Sequence, residues 1–364
     1  MAANNLELVC IGNALVDIFV RGDMQAGIRE GLTRPVQHME IERLRKILSA
    51  FPDHTIISGG GAANVAKIAA FLGARVSFIG ALGTEKSDDA EAFHPDRFGQ
   101  TFEKSLFSAG VKLRLSLKPS STGVCLYFNT GNEIRIAASP CAALLLSESD
   151  IRDEDLERAG IVVIDGFMLD RPTLVRNLLH RTDQYGKAAA IDLGSAAIAR
   201  EQAAEIAGFA RRYSLILFMN EAEADAFYEG LGSPGDGEGG GAGLLPFMTE
   251  RRSAAGFRFR YICSFFRSLT KGEFFPVIVV KLESRGALVF AGGSIHRAET
   301  TPVSPLETTG AGDAFSAAFL TAWVRNKPLP ECAALGNKAA RIILDVTGTL
   351  ANRKQFRSIA QELK

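Results

Sequence analysis

Short apolar runs alternate along this chain with stretches in which apolar residues recur every three or four positions. Each apolar run ends in a small or polar residue, and the runs are LELVCIG (6–12), VSFIGALG (76–83), IVVIDGF (161–167), AAAIDLG (188–194), LILFMNE (215–221) and VIVVKLE (277–283). Runs of this length predict β-strands. The stretches with helical spacing predict helices, and they are IERLRKILSAF (41–51), AANVAKIAAFLG (62–73), RPTLVRNLLHRT (171–182) and AIAREQAAEIAGFARRY (197–213).

The alternation of strand and helix predicts βαβ units and therefore an α/β fold, a doubly wound and mainly parallel sheet flanked by helices. Strands of such a sheet can be apolar throughout because helices cover both faces. Ligands bind these sheets beyond the carboxyl ends of the strands. The polar residues that close several of the runs are therefore the first place to look for chemistry.

Two segments interrupt this rhythm. Residues 111–138 alternate apolar and polar positions around turn signals, which predicts an antiparallel meander. We expect the meander to pair with residues 14–37 in a small β sheet that projects from the main domain as a lid. Residues 230–275 begin with a glycine-rich run and continue with many arginines and phenylalanines, which indicates an insertion into a single domain spanning 1–364.

Composition narrows the range of functions. Hydrophobic residues make up 47% of the 364 positions, which suffices for a sizeable core, and 41 Lys and Arg balance 41 Asp and Glu. Without a basic field, neither a nucleic acid nor a membrane is an expected partner. The five cysteines are scattered without CxxC spacing, which argues against a disulfide framework or a thiolate zinc site. The first residues carry no positively charged leader, so we expect a cytoplasmic protein.

A glycine-rich turn precedes a predicted helix in SGGGAANVAKIAAFLG (58–73). Backbone N–H groups at the start of such a helix suit oxygen-rich ligands. Gly60 and Gly61 would bring the backbone close to a ligand, although a tight connection between strand and helix explains glycines equally well. Asn64 favours the binding interpretation, because it is a polar amide in a helix otherwise coated with alanine, valine and isoleucine.

The segment TTGAGDAF (308–315) repeats this arrangement and adds a carboxylate. Gly310, Ala311 and Gly312 allow successive N–H groups to converge into a concave anion site at the positive end of the following helix. Asp313 then lies at the helix start, where aspartate is ordinarily an N-cap. Alternatively, Asp313 is a general base beside an anion hole, an arrangement that suits phosphoryl transfer.

Together these motifs resemble those of the PfkB family of carbohydrate kinases, whose ribokinase-like fold also includes adenosine kinase. GGAANVAKIAAFLGARVSFIGALG (60–83) matches the first family signature throughout, and TTGAGDAFSAAFL (308–320) matches the second. NEAE (220–223) is similar to the family's NxxE motif, and GNALVDI (12–18) is similar to its substrate-contacting first strand and turn. The resemblance covers essentially the whole chain in order, except residues 230–275.

Carried over residue by residue, the resemblance implies a role for each motif. Asp313 would be the catalytic base, and the anion-hole amides would come from Gly310, Ala311 and Gly312. Asn220 and Glu223 would organise Mg²⁺ and its waters around the ATP phosphates, although acidic residues at a helix start are also favoured by the helix dipole. The acceptor hydroxyls would be held by Asn13, Asp17, Gly60, Gly61 and Asn64. The nucleotide would contact Lys281, Gly286 and Asn337.

Two residues depart from the family pattern. Glu307 stands where the family has an aspartate that helps to bind a monovalent cation, and its side chain is one methylene longer. We expect this change to weaken the cation site, so that activity depends only weakly on potassium. Glu283 stands where family members usually have glycine, and a side chain at this position would crowd the nucleotide.

The resemblance therefore implies a kinase that uses ATP and Mg²⁺ to phosphorylate a hydroxyl group of a small sugar. The same hydroxyl-binding residues suit a ribonucleoside as the acceptor. Glu307 and Glu283 favour a third interpretation, a non-catalytic sugar-binding regulator with the same fold. The lid is also the candidate surface for a homodimer.

Overall fold

The computed structural model describes residues 6–86, 93–131, 133–232, 263–267, 269–270, 276–303, 305, 308–346 and 351–364. Glu307 and most of the 230–275 insertion lie outside these ranges, so the expectations stated for them stay predictions. Among the described residues, every helix is too short or too polar to cross a membrane.

The described residues form strands and helices that alternate along most of the chain. The strands are β1 Leu6–Ile11, β2 Leu15–Arg21, β3 Val36–His38, β4 His54–Gly59, β5 Val76–Lys86, β6 Phe93–Pro95, β7 Lys112–Lys118, β8 Gly123–Asn129, β9 Ile134–Ser139, β10 Ala159–Asp165, β11 Ala188–Asp192, β12 Leu215–Asn220, β13 Val277–Lys281, β14 Ala287–Ala291 and β15 Ser294–Ala298. The helices are α1 Met24–Arg29, α2 Ile41–Ala50, α3 Gly61–Phe71, α4 Arg97–Ala109, α5 Asp153–Glu157, α6 Pro172–Gln184, α7 Ala196–Glu201, α8 Ala203–Arg212, α9 Glu221–Gly230, α10 Ala311–Val324, α11 Leu329–Leu344 and α12 Arg357–Glu362.

The main sheet has the strand order β15-β14-β13-β12-β11-β10-β1-β5, and both β6 and β7 pair with β5. The pairs from β13 through β12, β11, β10 and β1 to β5 are all parallel, whereas β14 and β15 form an antiparallel edge. All six predicted strands lie in this parallel part. The predicted doubly wound α/β fold is confirmed.

Helices cover both faces of the main sheet, which explains why its central strands are apolar throughout. Along β1, Leu8 and Cys10 belong to one buried cluster, and Val9 and Ile11 belong to a second cluster on the opposite face. On the first face, α3 packs against α10, and the contacting sides of both helices are rich in buried alanine. Such small side chains let two helices approach closely, and this packing brings the starts of α3 and α10 together.

A second, five-stranded sheet has the order β3-β9-β8-β2-β4, and we call this sheet the lid. The predicted pairing of 14–37 with 111–138 occurs in this sheet from residue 123 onward, because β2 pairs with β8 and β3 pairs with β9. The prediction that the lid begins at residue 111 is wrong. Residues Lys112–Lys118 instead form β7 and pair in parallel with β5 at the edge of the main sheet.

The physical reason for this difference is that both positions require the same residue pattern. Leu113, Leu115 and Leu117 pack against the main core from one face of β7, while Arg114 on its other face pairs with Asp155 at 2.6 Å. An edge strand with one solvated face alternates apolar and polar residues just as a lid strand does.

The predicted helix 197–213 also differs, because it is divided at residue 202 into α7 and α8.

Candidate active site

Four neighbouring strands of the main sheet end in polar residues at one edge. In the register of the sheet, Asp165 at the end of β10 lies beside Asp192 at the end of β11. Asn220 at the end of β12 lies beside Lys281 at the end of β13. Because parallel strands present their carboxyl ends on the same side, these residues border one cleft. Asp165 and Asp192 were not predicted as site residues, although each is an aspartate that closes an apolar run, in IVVIDGF and AAAIDLG.

The first turn of α10 forms one wall of this cleft. Gly310 precedes the helix with φ 81° and ψ −2°, a left-handed conformation that glycine adopts without strain. Ala311 N–H donates to the Thr308 carbonyl at 3.2 Å, so this amide is engaged within the loop. The N–H groups of Gly312 and Asp313 belong to the first turn, where no helical carbonyl is available to them. These two N–H groups are therefore the amides of the first turn that remain available to bind an anion.

Asp313 faces the start of α3 across the cleft. Asn64 Nδ2 donates to Asp313 Oδ2 at 2.9 Å, although the two residues are 249 positions apart in the sequence. The two family-like motifs therefore meet through the two residues that the sequence analysis singled out in them. Asp313 is not the N-cap, because Gly310 occupies that position and Asp313 is the third residue of α10.

Burial is the largest influence on the Asp313 carboxyl group and raises its pKa. The neighbouring Asp192 and Asp165 carboxylates raise it further, while Asn64 and Lys281 act in the opposite direction, and the resulting pKa is about 7. A carboxyl group with a pKa near the working pH is well suited to accept a proton from a hydroxyl group. The geometry and the electrostatics thus both suit a general base.

The glycine-rich turn before α3 forms the opposite wall. Gly60 has φ 94°, and a β-carbon there would lie 2.3 Å from the Asn13 carbonyl oxygen, so only glycine fits this turn. A β-carbon at Gly61 would lie 3.6 Å from Asp313 Oδ1, which places Gly61 directly beside the candidate base. The Asn13 side-chain oxygen accepts from Arg171 Nη2 at 3.5 Å.

Asp17 and Lys67 add two buried charges to this wall. Asp17, in β2 of the lid, is 3% exposed, and Lys67, in α3, is 6% exposed. Lys67 Nζ donates to Ser58 Oγ at 3.2 Å. Burial lowers the pKa of Lys67 to about 8, although Asp17 and Asp313 act in the opposite direction. Lys67 was not predicted, and a lysine inside an otherwise apolar helix was the available signal.

Asp165 is a buried carboxyl group on the acceptor side. Its Oδ1 accepts from Phe167 N–H at 3.0 Å, and the N–H groups of Asn13 and Ala62 also favour its ionised form. Burial outweighs these donors and raises the pKa of Asp165. The carboxyl group therefore lies at the end of β10, close to the turn after β1 and the start of α3.

Lys281 lies among carboxylates beside the first turn of α10. Its Nζ donates to Asp192 Oδ1 at 2.9 Å and to Oδ2 at 2.7 Å, and Ser316 Oγ donates to the same Oδ2 at 2.8 Å. Burial acts to lower the pKa of Lys281, but Asp192 and Glu223 outweigh it and raise the pKa. A β-carbon at Gly312 would lie 3.0 Å from Nζ. The ammonium group thus lies next to the candidate anion hole.

Asn220 and Glu223 bond to each other at the start of α9. Glu223 N–H donates to Asn220 Oδ1 at 2.8 Å, and Asn220 N–H and Nδ2 donate to the two Glu223 carboxylate oxygens at 2.9 Å each. This reciprocal capping box stabilises the helix start without a metal ion. Glu223 is nevertheless 4% exposed, and burial followed by the Asp192 charge raises its pKa.

The remaining predicted nucleotide contacts lie together, apart from Lys281. Asn337 Nδ2 donates to the Ala298 and Glu299 carbonyls at 3.0 and 3.2 Å, and Gly286 packs against the same Ala298 carbonyl. Glu283 is exposed and has φ 51°, a left-handed conformation that glycine adopts more readily. Its side chain lies at the surface of this region.

The side chains of the cleft fit a magnesium ion that is held mainly by waters and phosphate oxygens. Within the described ranges, no group of three or more His, Cys, Asp or Glu side chains is arranged to hold a metal. The carboxylates Asp192, Glu223 and Asp313 do outnumber the single ammonium of Lys281 at this end of the cleft. Magnesium usually binds through one or two carboxylates, with waters and phosphate oxygens completing its shell. The excess negative charge is therefore consistent with a magnesium–nucleotide complex.

Comparison with known proteins agrees with this architecture. The family model of the pfkB family carbohydrate kinases matches residues 39–236 and 267–355. The chain is 34% identical to a ribokinase from Arabidopsis thaliana over 89 residues, which is 24% of each protein, and the match to a Thermococcus kodakarensis cytidine kinase covers 27% of that protein. These matches thus span about a quarter of the curated relatives. An adenosine kinase from Schizophyllum commune aligns over 95% of this chain and 96% of its own length at 22% identity.

Solved structures show the same fold over the full chain. An adenosine kinase from Sinorhizobium meliloti superposes with a TM-score of 0.77 at 23% identity, covering 98% of this chain and 99% of the other. A probable sugar kinase from Rhizobium etli superposes with a TM-score of 0.79 at 20% identity and covers 100% of both chains.

Proposed function

This chain belongs to the pfkB family of carbohydrate kinases, and we propose that it transfers the γ-phosphoryl group of ATP to a hydroxyl group of a small sugar. The observation that carries the proposal is the Asp313 carboxylate. It lies beside the free amides of the first turn of α10, has a pKa of about 7, and is held by Asn64 from the opposite wall. A base next to an anion hole is the arrangement that phosphoryl transfer requires.

The acceptor side of the cleft supplies groups that bind hydroxyls. Asp17 is a buried hydrogen-bond acceptor, Asn64 offers an amide, and Gly61 lies close to Asp313 in the turn that Gly60 begins. The acceptor hydroxyl would lie between these groups, and Asp313 Oδ1 would take its proton as the new bond to phosphorus forms. The lid, which carries Asp17, would close over the acceptor and exclude water that otherwise competes for the phosphoryl group.

The nucleotide side supplies positive charge and backbone donors. Gly312 and Asp313 amides would stabilise the charge of the moving phosphoryl group, and Glu223 with Asn220 would hold Mg²⁺ largely through water. Bound magnesium neutralises charge on the phosphates of ATP. Gly286 and Asn337 border the surface where the rest of the nucleotide would lie.

The test is ATP consumption by the purified chain with a panel of D-ribose, D-fructose, adenosine and cytidine. Turnover with a sugar at least tenfold above the rate without acceptor supports the proposal. The Asp313→Asn variant is the matched control, since it keeps the shape of the site and removes the base. Wild-type protein that consumes no ATP with any acceptor, while binding a sugar, would instead support a non-catalytic regulator.

A ribonucleoside acceptor is the second candidate, and the lid carries the observation that favours it. Phe19 and Tyr127 stack with ring centroids 4.9 Å apart and an interplanar angle of 12°. Phe19 lies two residues after Asp17 in β2, so both side chains are on the same face of the lid. A stacked aromatic pair beside a hydroxyl-binding carboxylate suits a nucleobase attached to a ribose. In that case Phe19→Leu would raise the KM for adenosine and leave turnover with free sugars unchanged.

A further inference from the structure

The candidate anion hole lies beside a fixed ammonium group, that of Lys281, which the family resemblance assigns only to the nucleotide. Lys281 projects from the end of β13, and its side chain is only 16% exposed. Its Nζ is anchored by both oxygens of Asp192, which Ser316 holds from the second turn of α10. These contacts fix the nitrogen from two neighbouring elements, the end of β11 and the body of α10.

One N–H donor of the anchored Lys281 ammonium group remains available to a ligand. A lysine ammonium carries three N–H donors. Within the part of the chain that the structure describes, the two Asp192 oxygens are its only hydrogen-bond acceptors. The nitrogen also lies where a β-carbon of residue 312 would almost touch it, at 3.0 Å. The free donor is therefore beside the amides that remain available in the first turn of α10.

The charges around this position show why a cation is needed there. Asp192, which is in direct contact with Lys281, and the more distant Glu223 and Asp313 all act to raise its pKa. A phosphoryl group carries further negative charge into this place. Fixed positive charge close to the transferred group is most effective in a site that excludes water.

We propose that Lys281 is a catalytic residue of the anion hole, donating its free N–H to the transferring phosphoryl group while Asp192 and Ser316 hold it in place. This inference rests on the proposed kinase function. It assigns Lys281 to the phosphoryl group, whereas the sequence resemblance assigned it only to the nucleotide. A side chain at position 312 would meet the ammonium group at 3.0 Å and make it shift by a few tenths of an ångström.

The test compares binding of a transition-state mimic with binding of the ground state. Lys281→Met alone leaves Asp192 buried without its partner and endangers folding, so the informative protein is Lys281→Met combined with Asp192→Asn. Asp192→Asn alone is its reference, and Lys46→Met, at an exposed position in α2, is the control for loss of a lysine. Calorimetry measures affinity for MgADP alone and for MgADP with aluminium fluoride and whichever panel acceptor supports turnover.

Relative to Asp192→Asn, the double variant is expected to bind MgADP within about threefold, but to lose about 10²- to 10³-fold in both kcat and affinity for the aluminium fluoride complex, as for loss of one oxyanion donor. Equal losses for MgADP and the mimic would overturn the proposal and return Lys281 to ground-state nucleotide binding. A double variant as active as its reference would leave Lys281 a purely structural ion pair. If the wild type itself has no activity with any acceptor, the proposed function fails, and this inference fails with it.

Discussion

Replacing Asp313 by asparagine should inactivate the protein and stabilise it at the same time. The substitution keeps an oxygen that can accept from Asn64 Nδ2, so the packing of α3 against α10 is preserved. It removes the base, which should lower turnover by about 10² to 10⁴. It also removes a charge that is unfavourable in the folded protein, because burial raises the pKa of Asp313 from its ordinary 3.8 to about 7.

The size and the pH dependence of the stability gain follow from that pKa. Below pH 3.8 the carboxyl group is protonated in both folded and unfolded protein and costs nothing. Between pH 3.8 and 7 the carboxyl group ionises in the unfolded chain but stays protonated in the folded protein, so stability falls as pH rises. Above pH 7 the folded protein ionises as well, and the loss levels off at about 4 kcal/mol by pH 8. This figure is an upper bound, since the side chain retains some contact with water. At pH 5 the same calculation gives a loss of folding free energy of about 1.6 kcal/mol.

Urea unfolding of wild type and Asp313→Asn at pH 5 and pH 8 measures this effect. Asp53→Asn is the matched control, because Asp53 is exposed and belongs to none of the motifs. We expect the free energy of unfolding of Asp313→Asn to exceed that of wild type clearly at pH 8 and much less at pH 5. A difference that does not change between the two pH values would refute the electrostatic reasoning. Near wild-type turnover would refute the assignment of the base.

Further outcomes follow from the same structure. kcat/KM should rise with pH and reach a plateau above about 7. Asp192→Asn should shift this rise to lower pH, because the Asp192 charge raises the pKa of Asp313. A rise at unchanged pH would contradict this interaction between the two carboxyl groups. Hydrogen exchange in Leu15–Arg21 and Gly123–Asn129 should slow when the acceptor binds, and unchanged exchange at saturation would count against a lid. Activity should depend only weakly on potassium, since the Glu307 side chain is longer than the family's aspartate. An approximately tenfold rise in turnover on adding potassium at constant ionic strength, about 1.4 kcal/mol in the barrier, would contradict this prediction.

The sequence alone determined the secondary structure of the parallel sheet and the two motifs at its edge. Fully apolar runs predict strands that are buried on both faces, and the six predicted strands occur as β1, β5, β10, β11, β12 and β13. Glycine-rich turns before apolar helices marked the starts of α3 and α10. Asn64 and Asp313, singled out by residue type and position, are in direct contact.

Only the tertiary structure decided which charges meet and which strands pair. The alternating pattern of β7 fits the edge of the main sheet as well as the lid, because either place leaves one face in water. Lys67 and Asp192 act on Asp313 only because distant elements pack side by side. The direction of the Lys281 side chain likewise depends on Asp192, which lies 89 residues away. The local pattern of apolar and polar residues indicates how deeply a segment is buried. The electrostatics of the site instead depend on residues that are distant in the sequence and become neighbours only in the folded chain.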